Sequence, residues 1–507
     1  MNASIAAIVI NIAAKAWGGS TSDSCIDPIK NFCQRLWHQS AVKNNTLYIN
    51  GGMEVFIPKN NAETERGDKD LLTGNADEYI ITVDLTAFWN WKTNISITAL
   101  NKTENQKTGT QQPNNIRGAL YAGAYGNPDL YLYGGTVSWA NRSFPGSQWP
   151  TAATYSLWGY GTSDKTWDQY DVSLNVPNRP AGGAPAEATE RGLAFYLGGF
   201  MNNGSKQHHN TIEELPSRPG WAGLCPQLRV GRDPSANGWE NKNDYISFET
   251  VDFLDIASID HEKSSGTWCT QTTTGDILDA RINFCVIAVS APDNSSQSIY
   301  LYGGKGEYGV FDQTYVLSVP SFRWIRLLEG ESPRHGHTCH VVGNSQMLTV
   351  GVARHENVSQ RCDWDLKSVA ILNSNHITWG SVFAENTGRF TVPTAIYRVI
   401  GGGGGNAFEI RPSTGFSGKD AAAFFSQADA ITDNSNDNHL RGGGIAGVNL
   451  LQGIIPQSGP KDRARPPRHE MERPIPHEIE ARSPHEMDGQ GVLAEFPART
   501  SEEKKDT

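Results

Sequence analysis

Histidine and cysteine side chains stand close together in one stretch of the sequence, RHGHTCH, which holds His335, His337, Cys339 and His340. On a β-strand His335, His337 and Cys339 would share one face, while His340 would point to the other. Copper accepts both imidazole and thiolate. The stretch could therefore hold a metal ion, or it could be the first strand of a structural repeat.

Other histidine groups are weaker candidates for metal binding. KQHHN (206–210) is typical of a solvated loop, although it could bind a metal loosely. In RHEMERPIPHEIEARSPHEMD, His469, His477 and His485 recur every eight residues. An arginine stands where HExxH needs its second ligand, and the prolines between the histidines prevent a helix from gathering the imidazoles. We expect no metal here and a disordered tail.

Tryptophan is the residue type most suggestive of ligand binding. Exposed Trp side chains stack on sugars and anchor protein interfaces. The alternative is that each Trp pins its own loop to the sheet below it. The candidates for ligand contact are Trp139, Trp149, Trp221 and Trp239.

The cysteines and possible glycosylation sites relate to the compartment of the chain. No CxxC pair or zinc-finger spacing occurs, so metal ligation by cysteine is not predicted. If the chain is exported, three disulfides and one spare thiol are possible, and their pairing stays open. The cysteines are Cys25, Cys33, Cys225, Cys269, Cys285, Cys339 and Cys362. The N-glycosylation candidates are Asn44, Asn94, Asn101, Asn141, Asn203, Asn294 and Asn357.

The amino terminus predicts an export signal over residues 1–16. An apolar run, SIAAIVINIAA (4–14), is too short to span a bilayer and leads into Ala14-Lys15-Ala16, which fits a signal-peptidase site. No basic residue precedes the run. A buried first strand or helix is therefore the alternative interpretation.

The overall composition limits the classes of partner that the chain can bind. The 507 residues include 52 glycines and carry a net charge of −11. Nucleic-acid binding needs a concentrated basic face, so this balance argues against it. We expect no nucleic-acid partner.

Short apolar runs that end on paired glycines recur through the sequence. LYLYGG (130–135) and IYLYGG (299–304) are nearly identical, TLYINGG (46–52) and LAFYLGG (193–199) are looser copies, and MLTVGV (347–352) is a worn fifth. Each run follows a turn and an earlier apolar strand, which predicts a hairpin. A second hairpin follows in each unit and closes on a tryptophan. Each unit is therefore predicted to be four short strands.

Four-stranded units of this kind cannot bury both faces alone, so they stack radially into a β-propeller. We expect glycine where the second strand approaches the next blade, because a side chain would clash there. The closing Trp would fill the space between blades. The repeat residues are Gly51, Gly52, Gly134, Gly135, Gly198, Gly199, Gly303, Gly304, Trp167, Trp268, Trp324 and Trp379.

The units resemble the kelch repeat, and in particular the kelch-propeller surface proteins of filamentous fungi. NFCQRLWHQSAVKNNTLYINGG, RINFCVIAVSAPDNSSQSIYLYGG, VLSVPSFRWIRL and HGHTCHVVGNSQML carry the resemblance, which extends from about Cys25 to Gly404. It implies an exported domain whose loops bind partners. The group commonly continues into one transmembrane helix and a cytoplasmic tail.

The chain departs from that group after the propeller. The apolar segment 445–455 has 11 residues, whereas about 20 are needed to cross a bilayer. It is followed by basic residues that resemble the cytoplasmic flank of a membrane helix. We interpret it as a vestigial membrane segment, so the sequence as it stands predicts no membrane span.

The sequence therefore predicts an all-β protein with a signal peptide (1–16), a kelch-type β-propeller (25–400) and a disordered Gly/Pro-rich tail (401–507). Five blades are visible, and a diverged sixth is expected. The expected function is an extracellular or cell-wall binding module, without a cofactor, that recognises protein or cell-wall glycan through loops on one propeller face. Three long insertions each follow a glycine pair. They predict that the binding loops lie on the face where the second strands of the blades end. The alternatives are a secreted oxidase of the galactose-oxidase type, which such propellers also host, and an intracellular kelch scaffold.

Overall fold

The computed structural model describes residues 27–56, 72–75, 79–102, 109, 114–136, 157–170, 180–189, 192–197, 200–201, 213–214, 247–258, 267–330, 332–351, 369–408 and 411–425. Strands dominate these ranges, and helical turns are short.

The strands are listed here in chain order: β1 (Phe32–Leu36), β2 (Gln39–Lys43), β3 (Thr46–Asn50), β4 (Met53–Phe56), β5 (Leu72–Asn75), β6 (Tyr79–Asp84), β7 (Trp89–Asn90), β8 (Ile97–Asn101), β9 (Ala119–Tyr121), β10 (Asp129–Tyr133), β11 (Leu157–Gly161), β12 (Trp167–Tyr170), β13 (Ala184–Ala188), β14 (Leu193–Leu197), β15 (Phe200–Met201), β16 (Glu213–Glu214), β17 (Thr250–Asp255), β18 (Thr267–Thr272), β19 (Thr274–Gly275), β20 (Arg281–Ile282), β21 (Cys285–Ser290), β22 (Gln297–Tyr302), β23 (Lys305–Gly306), β24 (Gly309–Val310), β25 (Thr314–Val319), β26 (Arg323–Leu328), β27 (Thr338–Val342), β28 (Gln346–Val350), β29 (Val369–Asn373), β30 (Thr378–Gly380) and β31 (Val382–Phe383). A 3-10 turn covers Ile256–Ser258, helix α1 covers Thr394–Ile400, and residues 419–425 are also helical.

The strands form repeated antiparallel meanders. The first blade is β2-β3-β6-β8, the second β9-β10-β11-β12, the fourth β21-β22-β25-β26 and the fifth β27-β28-β29-β30. Between the second and fourth, β13-β14 and β17-β18 form two separate pairs, which together we call the third blade. Among the described residues these five units account for the repeats, and the sixth blade stays a prediction.

The blades pack face to face, as a propeller requires. Along β22, Ile299 and Leu301 enter one buried cluster with Trp324, while Tyr300 and Tyr302 enter another with residues of the fifth blade. Successive side chains of a strand point to opposite faces, so this strand is buried on both sides. Similar clusters lie between the fifth and first blades and between the first and second. This architecture confirms the predicted all-β propeller.

The last described blade meets the first. The short strand β31 pairs with β7, and the rings of Trp89 and Phe383 stack with centroids 5.1 Å apart. Nearer the axis, Ser40 Oγ lies 2.5 Å from Thr338 Oγ1 and 2.7 Å from His340 Nε2. The innermost strands β21, β27, β2, β9 and β13 are therefore successive neighbours around the axis.

In three blades the second strand ends on two glycines with positive φ, and both lie against one carbonyl of the segment that leads into the next blade. A Cβ on the first glycine would lie 2.1, 2.4 or 2.5 Å from that oxygen. The second glycine donates its N–H to the same oxygen over 3.1, 2.8 or 2.7 Å. The trios, in that order, are Gly51 and Gly52 with Asn115, Gly134 and Gly135 with Pro180, and Gly303 and Gly304 with Arg334. Only glycine allows both the close approach and the conformation.

The chain beyond residue 400 continues to pack against the propeller. Helix α1 buries Ile396 and Ile400 in the cluster between the fourth and fifth blades. Further on, Phe425 is buried against Phe253 and Phe322, at centroid distances of 5.6 and 5.5 Å. Residues 411–425, which the sequence places in the tail, thus pack on the propeller, because Phe416, Phe424 and Phe425 join a cluster of the fourth blade. In the described part of the chain, no helix has the length and apolar character needed to cross a membrane.

Candidate binding face

One end of the propeller collects most of the structure outside the blades, and we call it the glycine face. The second strand of each blade runs toward this end, so the chain that follows it emerges here. These following segments form the pairs β4-β5, β15-β16 and β23-β24. β1 and β20, which precede the innermost strands of their blades, pair with β4 and β23 and so extend two of these sheets. In the second blade a single bridge, Ile116 to Thr136, takes the equivalent place. The connections between the second and third strands of the blades therefore lie on one face of the propeller.

Five residues surround the axis at the glycine face, and we call them the mouth residues: Trp37, Arg117, Gly182, Asn283 and Gly336. Each stands two residues before the innermost strand of its blade, and their φ values are 56°, 58°, 71°, 55° and 67°. Trp37 donates its backbone N–H to Gly336 (2.9 Å), Arg117 to Trp37 (2.8 Å), Gly182 to Arg117 (2.8 Å) and Gly336 to Asn283 (2.9 Å). These four backbone bonds link the five blades around the axis.

Trp37 and Arg117 give the mouth its chemical character. The guanidinium carbon of Arg117 lies 4.0 Å from the centre of the Trp37 ring, within cation–π range. The edge of the Trp37 ring that carries Cδ1 lies against Gly336, where a Cβ would stand 2.7 Å from that atom. Both side chains are half-buried. The pair therefore presents a flat apolar surface next to a fixed positive charge.

A layer of buried polar side chains lies two residues before the mouth residues. Arg281 Nη1 donates to the Gly303 carbonyl (3.3 Å), Arg334 Nη1 to Gly351 (3.2 Å) and Asn115 Nδ2 to Gly134 (2.6 Å). These bonds fix the carbonyls at which the second strands end.

Arg35 takes the same place in the first blade and pairs with the buried Glu54. Burial lowers the pKa of Arg35 to about 9 and that of Arg281 to about 10. Buried arginines therefore recur in this layer in the first, fourth and fifth blades.

The structure divides the RHGHTCH cluster between two blade interfaces. Cys339 forms a disulfide with Cys285 on β21, while His340 bonds Ser40 on β2. Neighbouring side chains of β27 therefore point to opposite faces, as strand geometry requires. Burial lowers the pKa of His340 to about 4 and that of His337 well below 6.5. The imidazoles are therefore neutral at physiological pH.

Several sequence predictions fall outside the described residues and stay predictions. These are Trp139, Trp149, Trp221, Trp239, Gly198, Gly199, Asn141, Asn203, Asn357, KQHHN (206–210), the signal segment 1–16, the apolar segment 445–455 and the histidine tract. Of the repeat tryptophans, Trp167 and Trp324 are fully buried, whereas Trp268 and Trp379 are half-buried. The glycosylation candidates Asn44, Asn94, Asn101 and Asn294 are exposed.

Two described cysteines besides the Cys285–Cys339 pair differ in state. Cys33 is also disulfide-bonded, and Cys269 is a buried free thiol. At least two disulfides are therefore present, within the range that the cysteine count allows.

Sequence reasoning missed the Trp37–Arg117 pair. Both residues precede an innermost strand by two positions, but no shared residue type marks those positions, so only the structure shows that they meet.

Radially packed four-stranded sheets that end on glycine pairs define a kelch-type β-propeller. A kelch repeat-containing protein of Arthroderma benhamiae is 25% identical to this chain over 431 residues, which is 71% of this chain and 58% of that protein. The fold is therefore a kelch-type β-propeller, and the chain is similar to that kelch repeat-containing protein. The chain spans little more than half the length of that curated relative, and no protein-family model matches it.

Proposed function

We propose that the protein is an extracellular or cell-surface binding module that recognises a protein or a cell-wall glycan through its glycine face. One observation carries the proposal: three of the sheets added outside the blades, β1-β4-β5, β15-β16 and β20-β23-β24, lie on the same face as the Trp37–Arg117 pair. Ligand sites gather on loops that a rigid scaffold positions. The opposite face is formed mainly by tight hairpin turns such as Asn44-Asn45.

The chemistry of the mouth supports a ligand with flat apolar and acidic parts. An indole ring stacks on the apolar face of a pyranose or on a planar side chain, and guanidinium binds carboxylate. An acidic glycan or an acidic peptide would satisfy both groups.

Two features of the described chain support export. Four glycosylation candidates are exposed, which the transferase requires, and the Cys285–Cys339 disulfide is typical of an oxidising compartment. Together with the predicted signal segment they favour the medium or the cell wall as the location.

The binding proposal is tested with Trp37→Ala and Arg117→Gln, and with Tyr125→Ala as the matched control. Tyr125 is 92% exposed in the turn between β9 and β10, at the opposite end of the propeller. The probes are a glycan array that includes β-glucan, chitin, mannan and uronic-acid polymers, and immobilised acidic peptides. We expect the Trp37 variant to lose about 30-fold in affinity, as for an interface hot spot. Equal binding by all three variants would place the site elsewhere.

Export is tested with a carboxy-terminal tag on the chain expressed in a filamentous fungus. Medium, wall, membrane and cytosol are separated, and gel mobility is compared before and after enzymatic removal of N-glycans. A mobility shift in medium or wall is expected. An unshifted cytosolic chain would contradict export and would favour an intracellular scaffold.

A further inference from the structure

We propose that Cys285, Cys339 and His337 form a redox-dependent site for a soft d10 cation, Cu⁺ or Zn²⁺. The disulfide between the two cysteines and the bound cation exclude each other. All three residues are buried, and one donor atom from each lies within 4.8 Å of the others. Thiolate and imidazole are the donors that these cations prefer. The site joins the innermost strands of the fourth and fifth blades.

His337 supplies the third donor of the cluster, beside the two cysteine sulfurs. Its side chain is 2% exposed, and neither ring nitrogen makes a hydrogen bond of ordinary geometry. The backbone and ring of Tyr302 lie beside it, with ring centroids 5.3 Å apart. Metal-bound histidines commonly turn their second nitrogen toward a backbone carbonyl, which is the environment found here.

The propeller itself does not require a histidine at this position. Residue 337 directly follows the mouth residue of its blade, and in the fourth blade the same position is Phe284, which is buried in an apolar cluster. A phenyl ring therefore satisfies the packing at this register. The imidazole at 337 adds ring nitrogens that make no hydrogen bond of ordinary geometry with the described residues.

The two forms interconvert by ordinary thiol chemistry. A dithiol reductant gives up two electrons and two protons, so that the Cys285–Cys339 bond becomes two thiols and the reductant becomes its own disulfide. Binding of the cation then releases the two thiol protons, because thiolates are the ligands. His337 contributes a ring nitrogen as the third donor. Either form holds the two blades together.

The test uses the full chain with Cys269→Ser, which removes the buried free thiol, and the same chain with His337→Phe added. Phenylalanine is chosen because Phe284 fills the equivalent position. Each protein is reduced anaerobically with a phosphine. Zn²⁺ and Cu⁺ affinities are then measured by competition with chromophoric chelators. We expect the parent to bind one equivalent and His337→Phe to bind at least about 10-fold more weakly. Equal affinities, or no binding by the reduced parent, would overturn the proposal.

A second measurement needs no variant at position 337. The reduced chain is alkylated with and without Zn²⁺, and the modified cysteines are located by peptide mass spectrometry. Cys285 and Cys339 should be protected by the cation, while Cys33 serves as the reference thiol. If the cation protects all three equally or none, the site does not exist.

Discussion

At the scale of single residues, the glycine face is shaped by backbone contacts that leave no room for a side chain. At Gly134 a Cβ would lie 2.4 Å from the Pro180 carbonyl oxygen, and φ is 66°. Positive φ alone costs a non-glycine residue about 1–2 kcal/mol. The clash adds a second, separable penalty.

Gly134→Ala and Gly388→Ala should therefore differ in their effect on the free energy of unfolding. Gly388 has φ 78° but open space around it, so its replacement carries only the backbone penalty. We expect Gly388→Ala to lose about 1 kcal/mol and Gly134→Ala about 3 kcal/mol, since overpacking commonly costs about 1–3 kcal/mol more. Urea unfolding followed by tryptophan fluorescence gives both values. Equal losses of unfolding free energy would show that the Pro180 segment moves to accommodate the added methyl group.

His38 makes the interface between the first and fifth blades sensitive to acid. Its Nε2 lies 2.9 Å from Thr338 Oγ1, and Arg35, His337 and His340 surround it. Burial, and then the charge of Arg35, lowers its pKa well below 6.5. Below pH 6.5 the unfolded chain thus binds more protons than the folded chain. Stability should fall from there as the pH drops through the folded-state value.

The variant His38→Gln tests this pH dependence. Denaturation midpoints are compared between pH 7.5 and pH 5, and the variant should lose less stability than the parent over this range. His340, whose pKa burial lowers to about 4, leaves a smaller slope of the same sign. Identical slopes in both proteins would mean that His38 stays solvated.

The residue types in the sequence reveal part of the glycine face. Paired glycines after an apolar strand can be recognised in the sequence, because the same close backbone contact recurs from blade to blade. The mouth residues cannot, since Trp37, Arg117 and Gly182 share a position and a φ sign but no side-chain chemistry. The unusual conformation of two non-glycine residues is visible only in the structure.

At the scale of elements, the hairpins were predictable and the boundary of the propeller was not. Runs of alternating apolar residues, separated by turn-forming residues, predict the hairpins β21-β22 and β27-β28. The sequence placed the end of the propeller at residue 400, whereas Phe425 still packs on the fourth blade. The aromatic pair Phe424 and Phe425, which follows three alanines, was the signal that the chain returns to the core.

Residues 411–425 should contribute to stability as a unit. Phe425 is 6% exposed and stacks on Phe416 at 5.3 Å. A chain that ends at residue 410 should be less stable by about 3–5 kcal/mol than one that ends at 425, which is the range for loss of a buried Phe. Thermal and urea unfolding of the two chains measure the difference. Phe425→Ala within the longer chain should reproduce most of it, and unchanged stability would place the segment outside the fold.

At the scale of the whole molecule, the blades are joined by different kinds of bond around the axis. The fourth and fifth are joined covalently by Cys285–Cys339, whereas the fifth and first rely on Ser40, Thr338 and the pairing of β31 with β7. The covalent link spans a sequence separation of 54 residues. Loop-closure entropy then predicts a stabilisation of about 4 kcal/mol.

Replacing both cysteines with alanine should lower the unfolding free energy by about 4 kcal/mol at neutral pH without added metal. Ser40→Ala, a neighbouring change that removes only hydrogen bonds, should cost about 1 kcal/mol and serves as the control. Calorimetry under oxidising conditions compares the two. A loss of 1 kcal/mol or less in the double variant would show that packing alone sets the spacing of these blades.

The mouth residues have a further consequence for evolution. The hydrogen bonds between them join main-chain groups, so at Trp37, Arg117 and Asn283 these bonds do not depend on the side chain, provided that the residue adopts a positive φ. Substitutions there can alter charge, size or aromaticity at the centre of the glycine face while the scaffold stays intact. Duplicated copies of such a gene could therefore acquire new ligands through single codon changes at Trp37, Arg117 or Asn283.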